Sequence, residues 1–312
     1  MTNLPYQIIS YEAKHNELLL ALEKVTPQGK KVKLEMLRPN FLSRSEIHEQ
    51  YSVYVAATKD SVVGVAAVTI VPIKYEDVSI QAGFGYDLKV APACRKKGLA
   101  KEFGKMVVDE YLKDNNISNY FITLKTGNEG AAKCVFIIPT EWYDYNFIYL
   151  TIPTFKRIKP LATSNKNQLL STELLGRPAN AEEYIIETKS GLGIWKTYNS
   201  YQLKISDMPF YMNIGAKVAN LFVSKERKMP IKGDVLKFAT LFNYNTENIV
   251  HINEALEILQ NKNIQYLNVC CTKEDMAYQL LKPYAMNSIP YTMLNSFGVE
   301  NGHHLTMDVR CL

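Results

Sequence analysis

Two hydrophobic periods take turns along this chain, and their succession is that of an α/β protein. Tyr6–Ser10 alternates apolar and polar positions as a short strand. Glu12–Val25 switches to helical spacing, with Leu18, Leu19 and Leu22 on the inner side. Lys33–Gln50 is polar and irregular, with one helical stretch at Ser45–Gln50 whose start lacks the Glu of a capping box. Ser52–Ala57 and Val62–Ile73 read as strands joined across the turn Lys59-Asp60-Ser61, and Gly83–Val90 is a third strand. From Leu99 to about Asn115, residues Leu99, Phe103, Met106, Val107 and Tyr111 recur on one helical face. A strand follows at Tyr120–Lys125, then a helix opened by Asn128 and carrying Ala131, Ala132, Val135 and Phe136, then a strand at Trp142–Ile152.

Pro153, Pro160 and a polar run from Thr163 to Asn180 break this pattern, with Leu169–Leu175 a short helix inside the break. The alternation then resumes. Tyr184–Glu187 and Ile194–Ile205 are strands, and Phe210–Val223 is a helix by the spacing of Phe210, Ile214, Val218 and Leu221. Val235–Phe242 is a strand, Ile252–Gln260 a helix, Ile264–Cys271 a strand and Asp275–Leu281 a helix. Tyr291–Leu294 and Leu305–Val309 close the chain as strands. Element order thus repeats, which divides the chain into residues 1–158, a connection at 159–182, and residues 183–312.

Composition narrows the class further. With 47% apolar and 21% charged residues this is a globular chain, and its longest apolar run, Val62–Ile73, is too short for a membrane span. The first thirty residues lack the basic start and apolar block of a signal peptide, so a cytoplasmic protein is expected. Five cysteines form no C-x-x-C pair, and five scattered histidines offer no ligand spacing; no metal is expected. A net charge of +5 favours anionic small ligands, yet the basic residues make no continuous patch, so neither a nucleic-acid nor a membrane partner is expected.

One stretch carries chemistry. Asp87 to Ala100 reads D-L-K-V-A-P-A-C-R-K-K-G-L-A: a strand, a basic turn with Gly98, and a helix start at Leu99. Unpaired N–H groups and the dipole of a helix start favour a phosphate. Arg95 adds a guanidinium, and Gly98 lets backbone approach the ligand. A dinucleotide fingerprint is excluded, because only one of its three glycines is present, and no Gly-Lys-Ser/Thr of a phosphate loop occurs. The spacing R-x-x-G-x-A at Arg95, Gly98 and Ala100, with its lead-in Leu88, Val90 and Pro92, resembles the acyl-CoA signature of the GNAT acetyltransferase superfamily. The resemblance covers Tyr6 to about Leu150. It implies a mixed, mostly antiparallel sheet flanked by helices. It also implies an N-acyltransferase that moves the acyl group of acetyl-CoA, or another acyl-CoA, to an amine acceptor. Leu88, Lys89, Val90, Arg95, Lys96, Lys97, Gly98, Leu99, Ala100 and Asn128 would then hold the coenzyme.

Laid over the first half, Val235–Phe242 takes the place of Gly83–Val90, but its turn Asn243–Asn248 has neither glycine nor arginine and carries Glu247. The second half therefore resembles a GNAT domain without a cofactor loop, free to shape the acceptor pocket or a homodimer contact. In the family the thioester lies where the fourth and fifth strands splay apart, here Asp87–Val90 and Tyr120–Lys125. Asp87 is then the best-placed base, with Glu129 and Glu141 behind it. The family's usual acid, a tyrosine seven residues after the helix-opening asparagine, falls here on Val135, which leaves Tyr143 or Tyr145 on the next strand. Cys94 and Cys134 raise a covalent route, for which no histidine base is near in sequence. The alternative is a non-enzymatic acyl-CoA-binding sensor or scaffold.

Overall fold

The computed structural model describes residues 6–76, 78–135, 140–159, 166–176 and 180–312. Its first half contains β1 (Gln7–Ser10), α1 (Asn16–Val25), β2 (Lys33–Leu37), β3 (Tyr51–Ala57), β4 (Val62–Tyr75), β5 (Val78–Val90), α2 (Leu99–Met106), β6 (Tyr120–Lys125), α3 (Glu129–Val135) and β7 (Tyr143–Pro153). The second contains β8 (Leu170–Glu173), α4 (Ala181–Tyr184), β9 (Ile185–Glu187), β10 (Gly193–Trp195), α5 (Thr197–Ser200), β11 (Gln202–Asp207), α6 (Phe210–Ala219) and β12 (Val235–Leu236). It ends with β13 (Phe238–Phe242), α7 (Ile252–Asn261), β14 (Tyr266–Cys271), α8 (Met276–Leu281), β15 (Asn287–Asn295) and β16 (Leu305–Asp308).

Among the described residues thirteen strands share one sheet, in the order β1-β3-β4-β5-β6-β15-β7-β14-β13-β10-β9, with β16 between β4 and β8. Pairing is mostly antiparallel; β5 with β6, β13 with β14, and β16 with β8 are parallel. The halves meet inside the sheet. Strand β15, from the end of the chain, lies between β6 and β7, with Tyr291 paired to both Lys125 and Phe147. Strand β7 in turn pairs with β14. Alternation along β14 sends Cys270 to one core and Cys271 to the other, as a strand requires.

Helix α2 continues through a π-helical turn, Val107–Leu112, and buries Leu99, Phe103 and Leu112 on the sheet beside Tyr54, Ala66 and Val68. A Cβ on Gly64 would come within 2.9 Å of Leu99, so the missing side chain sets how closely this helix lies on β4.

Several segments depart from their local pattern. Leu18 faces solvent, and α1 turns Leu19, Leu22 and Glu23 inward, the i, i+3, i+4 set. The helical turn expected at Ser45–Gln50 lies earlier, as a 3₁₀ turn at Phe41–Arg44. Leu169–Leu175 is not helical, because β8 finds a parallel partner in β16. Ile194–Ile205 is two strands separated by the turn of α5, and Val235–Phe242 is likewise split. In both cases one piece joins the large sheet and the other a small sheet, β12-β11-β2. The side chains of Glu129, Cys134 and Val135, Phe136, and parts of the 159–182 connection lie outside the described residues.

Candidate active site

Strands β5 and β6 pair over only three positions, Gly83↔Tyr120, Phe84↔Phe121 and Gly85↔Ile122, and then part. Strand β5 keeps its other partner, β4, to Gly64↔Val90, but between Tyr86 and Lys89 it carries one extra residue. Asp87 sits in this bulge with φ at +52°, a conformation that costs most residues of order 1 kcal/mol and that Asp tolerates better. The bulge turns the backbone of Asp87 and Leu88 at the mouth of the splay.

Beyond Val90 the chain makes one 3₁₀ turn, Pro92–Cys94, and enters the basic loop. Lys96 has φ +61° and Gly98 φ +88°, which curls the segment Arg95–Leu99 around its own N–H groups. Lys101 and Glu102 already return their N–H groups to the Gly98 carbonyl. Those of Lys96, Lys97, Gly98, Leu99 and Ala100 donate to no group among the described residues. The Arg95 Nε–H donates to the Val90 carbonyl at 3.1 Å, tying this exposed guanidinium to the end of β5. Leu99 is buried and anchors the helix, so of the expected coenzyme-binding residues it acts through backbone alone. Asn128 is exposed past the end of β6, where its Oδ1 accepts from the Ala131 N–H and caps α3.

The carboxylate of Asp87 points into a buried ionic cluster. Arg38 Nη1 lies 2.7 Å from Asp87 Oδ2, and Arg44 Nη1 lies 2.9 Å from Oδ1. Arg38 also reaches Glu23 Oε1 at 2.8 Å, and Lys89 pairs with the same oxygen. Arg38 is fully buried and Asp87 is 3% exposed, while Arg44 keeps 16% of its side chain open. Burial alone would raise the Asp87 carboxyl; Arg38, Arg44 and Lys89 reverse that and hold it far below the usual carboxylate range. It stays ionised and is a poor proton acceptor.

Sheet register decides which hydroxyls face the splay. Lys125, at the open end of β6, is level with Tyr291 and Phe147, whereas Phe121, at the paired end, is level with Asn295 and Tyr143. Tyr145, level with Thr123, is fully buried, and its hydroxyl donates to the Leu169 carbonyl at 2.9 Å. Half-buried Tyr143 bonds Glu141, which raises its pKa. Opposite the open end a different set gathers. Tyr149 and Tyr291 lie with ring centroids 4.7 Å apart, and the Arg44 guanidinium sits over the Tyr86 ring at 5.2 Å and the Tyr201 ring at 5.8 Å. Tyr86 donates to Ser45 Oγ at 2.8 Å. Burial pushes the phenols of Tyr86, Tyr149 and Tyr291 up, so they remain protonated donors. Sequence reasoning missed Glu23, Arg38, Arg44, Tyr86, Tyr149, Tyr201 and Tyr291. Only the adjacency of Tyr86 to Asp87 could have suggested one of them.

The second half contains the same parallel pair without the same mouth. Strands β13 and β14 also pair over three positions, Phe238↔Tyr266 to Thr240↔Asn268. Here the Asn243 N–H donates to the Thr172 carbonyl of β8, and buried Tyr244 donates its hydroxyl to the Cys270 carbonyl. The turn after β13 ties up three of its N–H groups internally: Glu247 and Asn248 N–H both donate to Asn245 Oδ1, and Asn245 N–H to Asn248 Oδ1. Among the described residues no group of three His, Cys, Asp or Glu side chains is placed to hold a metal.

The sequence matches no protein-family model, and it matches no curated protein. In fold it is similar to solved structures. A crystal structure of Saccharomyces cerevisiae N-myristoyltransferase with bound myristoyl-CoA aligns over 99% of this chain and 81% of that one, with a TM-score of 0.55 and 8% identity. Another, with myristoyl-CoA and inhibitors, aligns over 95% of this chain and 81% of that one, with a TM-score of 0.56 and 10% identity. At such identities the likeness concerns the fold. The chain has a GNAT-type fold, with its mixed, mostly antiparallel sheet flanked by helices.

Proposed function

We propose that this chain is an acyl-CoA-dependent N-acyltransferase acting on an amine. One observation carries the reading: a parallel strand pair that parts at a bulge and runs directly into a turn of five undirected N–H groups at a helix start. The turn suits a pyrophosphate, and the unpaired strand edge beyond Gly85 suits an amide-bearing arm laid as an extra strand. The thioester of acetyl-CoA, or of another acyl-CoA, would then lie at the bulge, with Leu88, Lys89 and Val90 contributing backbone and Arg95 to Ala100 holding phosphate. The fold neighbours are described with myristoyl-CoA bound, which supports an acyl-CoA as co-substrate.

In the reaction the amine nitrogen attacks the thioester carbonyl, a C–N bond forms, the C–S bond breaks, and the thiolate takes up a proton. The cluster of Glu23, Arg38, Arg44, Asp87 and Lys89 carries two negative and three positive charges beneath the bulge, and its surplus positive charge favours the developing oxyanion. We assign Asp87 to positioning the bulge, leaving the amine proton to solvent. Tyr291, opposite the open end, and Tyr149 beside it, whose hydroxyl also meets the Cys270 thiol, are the hydroxyls we assign to the leaving thiolate. The box of Arg44, Tyr86, Tyr149, Tyr201 and Tyr291 forms the acceptor side. The second half supplies Tyr201 and Tyr291 to it, a role for a GNAT-like half without a cofactor loop.

The sensor reading has one observation in its favour, since the nearest carboxylate is locked in ion pairs. Thiol release measured over acyl-CoAs of two to fourteen carbons and a panel of amines, peptides included, separates the two. Turnover with any amine establishes the transferase. Tight acyl-CoA binding with no thiol release across the panel establishes the sensor, and no acyl-CoA binding at all removes both.

A further inference from the structure

The spacing of Phe210, Ile214, Val218 and Leu221 is that of a helix with one apolar face, which in a globular chain turns toward the core. Helix α6 does the opposite. Of its side chains only Ala216 is buried, and Phe210 is 78% exposed, with Tyr211, Ile214 and Val218 open beside it. The turn that follows adds Leu221 and Phe222, 79% and 83% exposed. This orientation is built in. The excursion between β11 and β12 is braced by Asn220, whose Oδ1 accepts the Met229 N–H at 2.7 Å and whose Nδ2 donates to the Met229 carbonyl at 2.8 Å. Asn213 Oδ1 accepts the Lys232 N–H at 3.1 Å. Small and amide side chains thus face the protein, and the bulky apolar ones face water.

Charge identifies what would cover them. Residues 208–232 hold Lys217, Lys225, Arg227, Lys228 and Lys232 against a single acid, Glu226. Lys232 is engaged with Asp207, while Lys217, Lys225, Arg227 and Lys228 are exposed. A protruding apolar surface rimmed by exposed cations matches a bilayer with anionic headgroups: the aromatic and aliphatic groups enter the acyl boundary, and the cations meet phosphate. Among the described residues no helix is long and apolar enough to cross a membrane, and α6 with ten residues would lie along the surface. We propose that the segment 208–232 docks this protein on anionic lipid surfaces. Strand β11 links the segment to Tyr201, so the bilayer would lie roughly 20 Å from the acceptor box, one six-residue strand away.

The test is flotation of the full chain with phosphatidylcholine vesicles, with and without about one-third phosphatidylserine. Binding is expected only with phosphatidylserine and should fall as salt rises to ~0.5 M. Lys225→Gln, Arg227→Gln and Lys228→Gln should each lower partitioning about fivefold. The double variant Leu221→Glu/Phe222→Glu should abolish it while melting as the parent does, since neither side chain is packed. Parent protein that stays unbound at low salt overturns the proposal. So does binding that survives the double variant. A parent dimer that the double variant dissociates, with no vesicle binding, assigns the face to a second copy instead.

Discussion

Replacing Asp87 by Asn keeps the shape of the bulge residue and removes the charge shared by Arg38 and Arg44. The cluster then holds three cations against Glu23 alone, and its net charge rises from +1 to +2 in a buried site. Removing one partner of a buried ion pair costs about 3–5 kcal/mol, and the part-open Arg44 places the loss near the lower figure. For a chain of 312 residues, with about 2.1 cal/mol/K of unfolding entropy per residue, each kcal/mol shifts Tm by about 1.5 °C, so a drop of about 4–5 °C is expected at pH 7. The pH dependence has a definite sign. The carboxyl is depressed in the folded state, so its contribution is present above the unfolded carboxylate value of about 4 and is lost as pH falls below it. The gap between parent and variant should therefore be full at pH 7 and shrink below about pH 4. Adding Arg44→Gln returns the net charge to +1 and should recover part of the loss, a coupling that a double-mutant cycle reads directly. Calorimetry at both pH values is the assay. If Asp87→Asn melts within a degree of the parent and loses about 10²–10⁴-fold in acyl-transfer rate, Asp87 is a free general base and the positioning role is wrong.

The remaining expectations concern the coenzyme loop, the hydroxyls and the second half. Arg95→Ala should weaken acyl-CoA binding by about 1.5–3 kcal/mol in titration calorimetry. Gly98→Val should cost at least as much, because φ is +88° there and a Cβ meets no protein atom, only the path of the ligand; unchanged affinity in both variants would remove the site. Tyr149→Phe and Tyr291→Phe should slow thiol release at unchanged coenzyme affinity, while Tyr145→Phe should lower stability by about 1 kcal/mol through its lost bond to Leu169 and leave the rate alone. The reverse order would show that sheet register does not select the acid. Binding should saturate at one acyl-CoA per chain, since the Asn243–Asn248 turn lacks glycine and arginine and ties up the N–H groups of Asn243, Asn245, Glu247 and Asn248. A stoichiometry of two would contradict that.

Features that depend on neighbours in the chain were legible before folding. Tyr120–Lys125 is a strand at the expected bounds, because six residues of one period between turn signals leave little choice. The turn Arg95–Gly98 and the helix start at Leu99 follow from a single glycine at positive φ and an amphipathic run behind it. Where seven residues fit two periods, as in Leu169–Leu175, local pattern could not choose, and a distant partner, β16, made the segment a strand. The site itself belongs to that second category. Arg38 and Arg44 stand 49 and 43 positions before Asp87 in a stretch without regular pattern, and only folding brings their charges to its carboxylate. Register, which is set by pairing across the whole sheet, brought Tyr291 level with Lys125 and put Tyr143 at the closed end. Helix α6 shows the same limit from the other side. Period three-point-six reveals that a face is apolar, but which way that face turns is decided by the packing around it, and here the packing turned it outward.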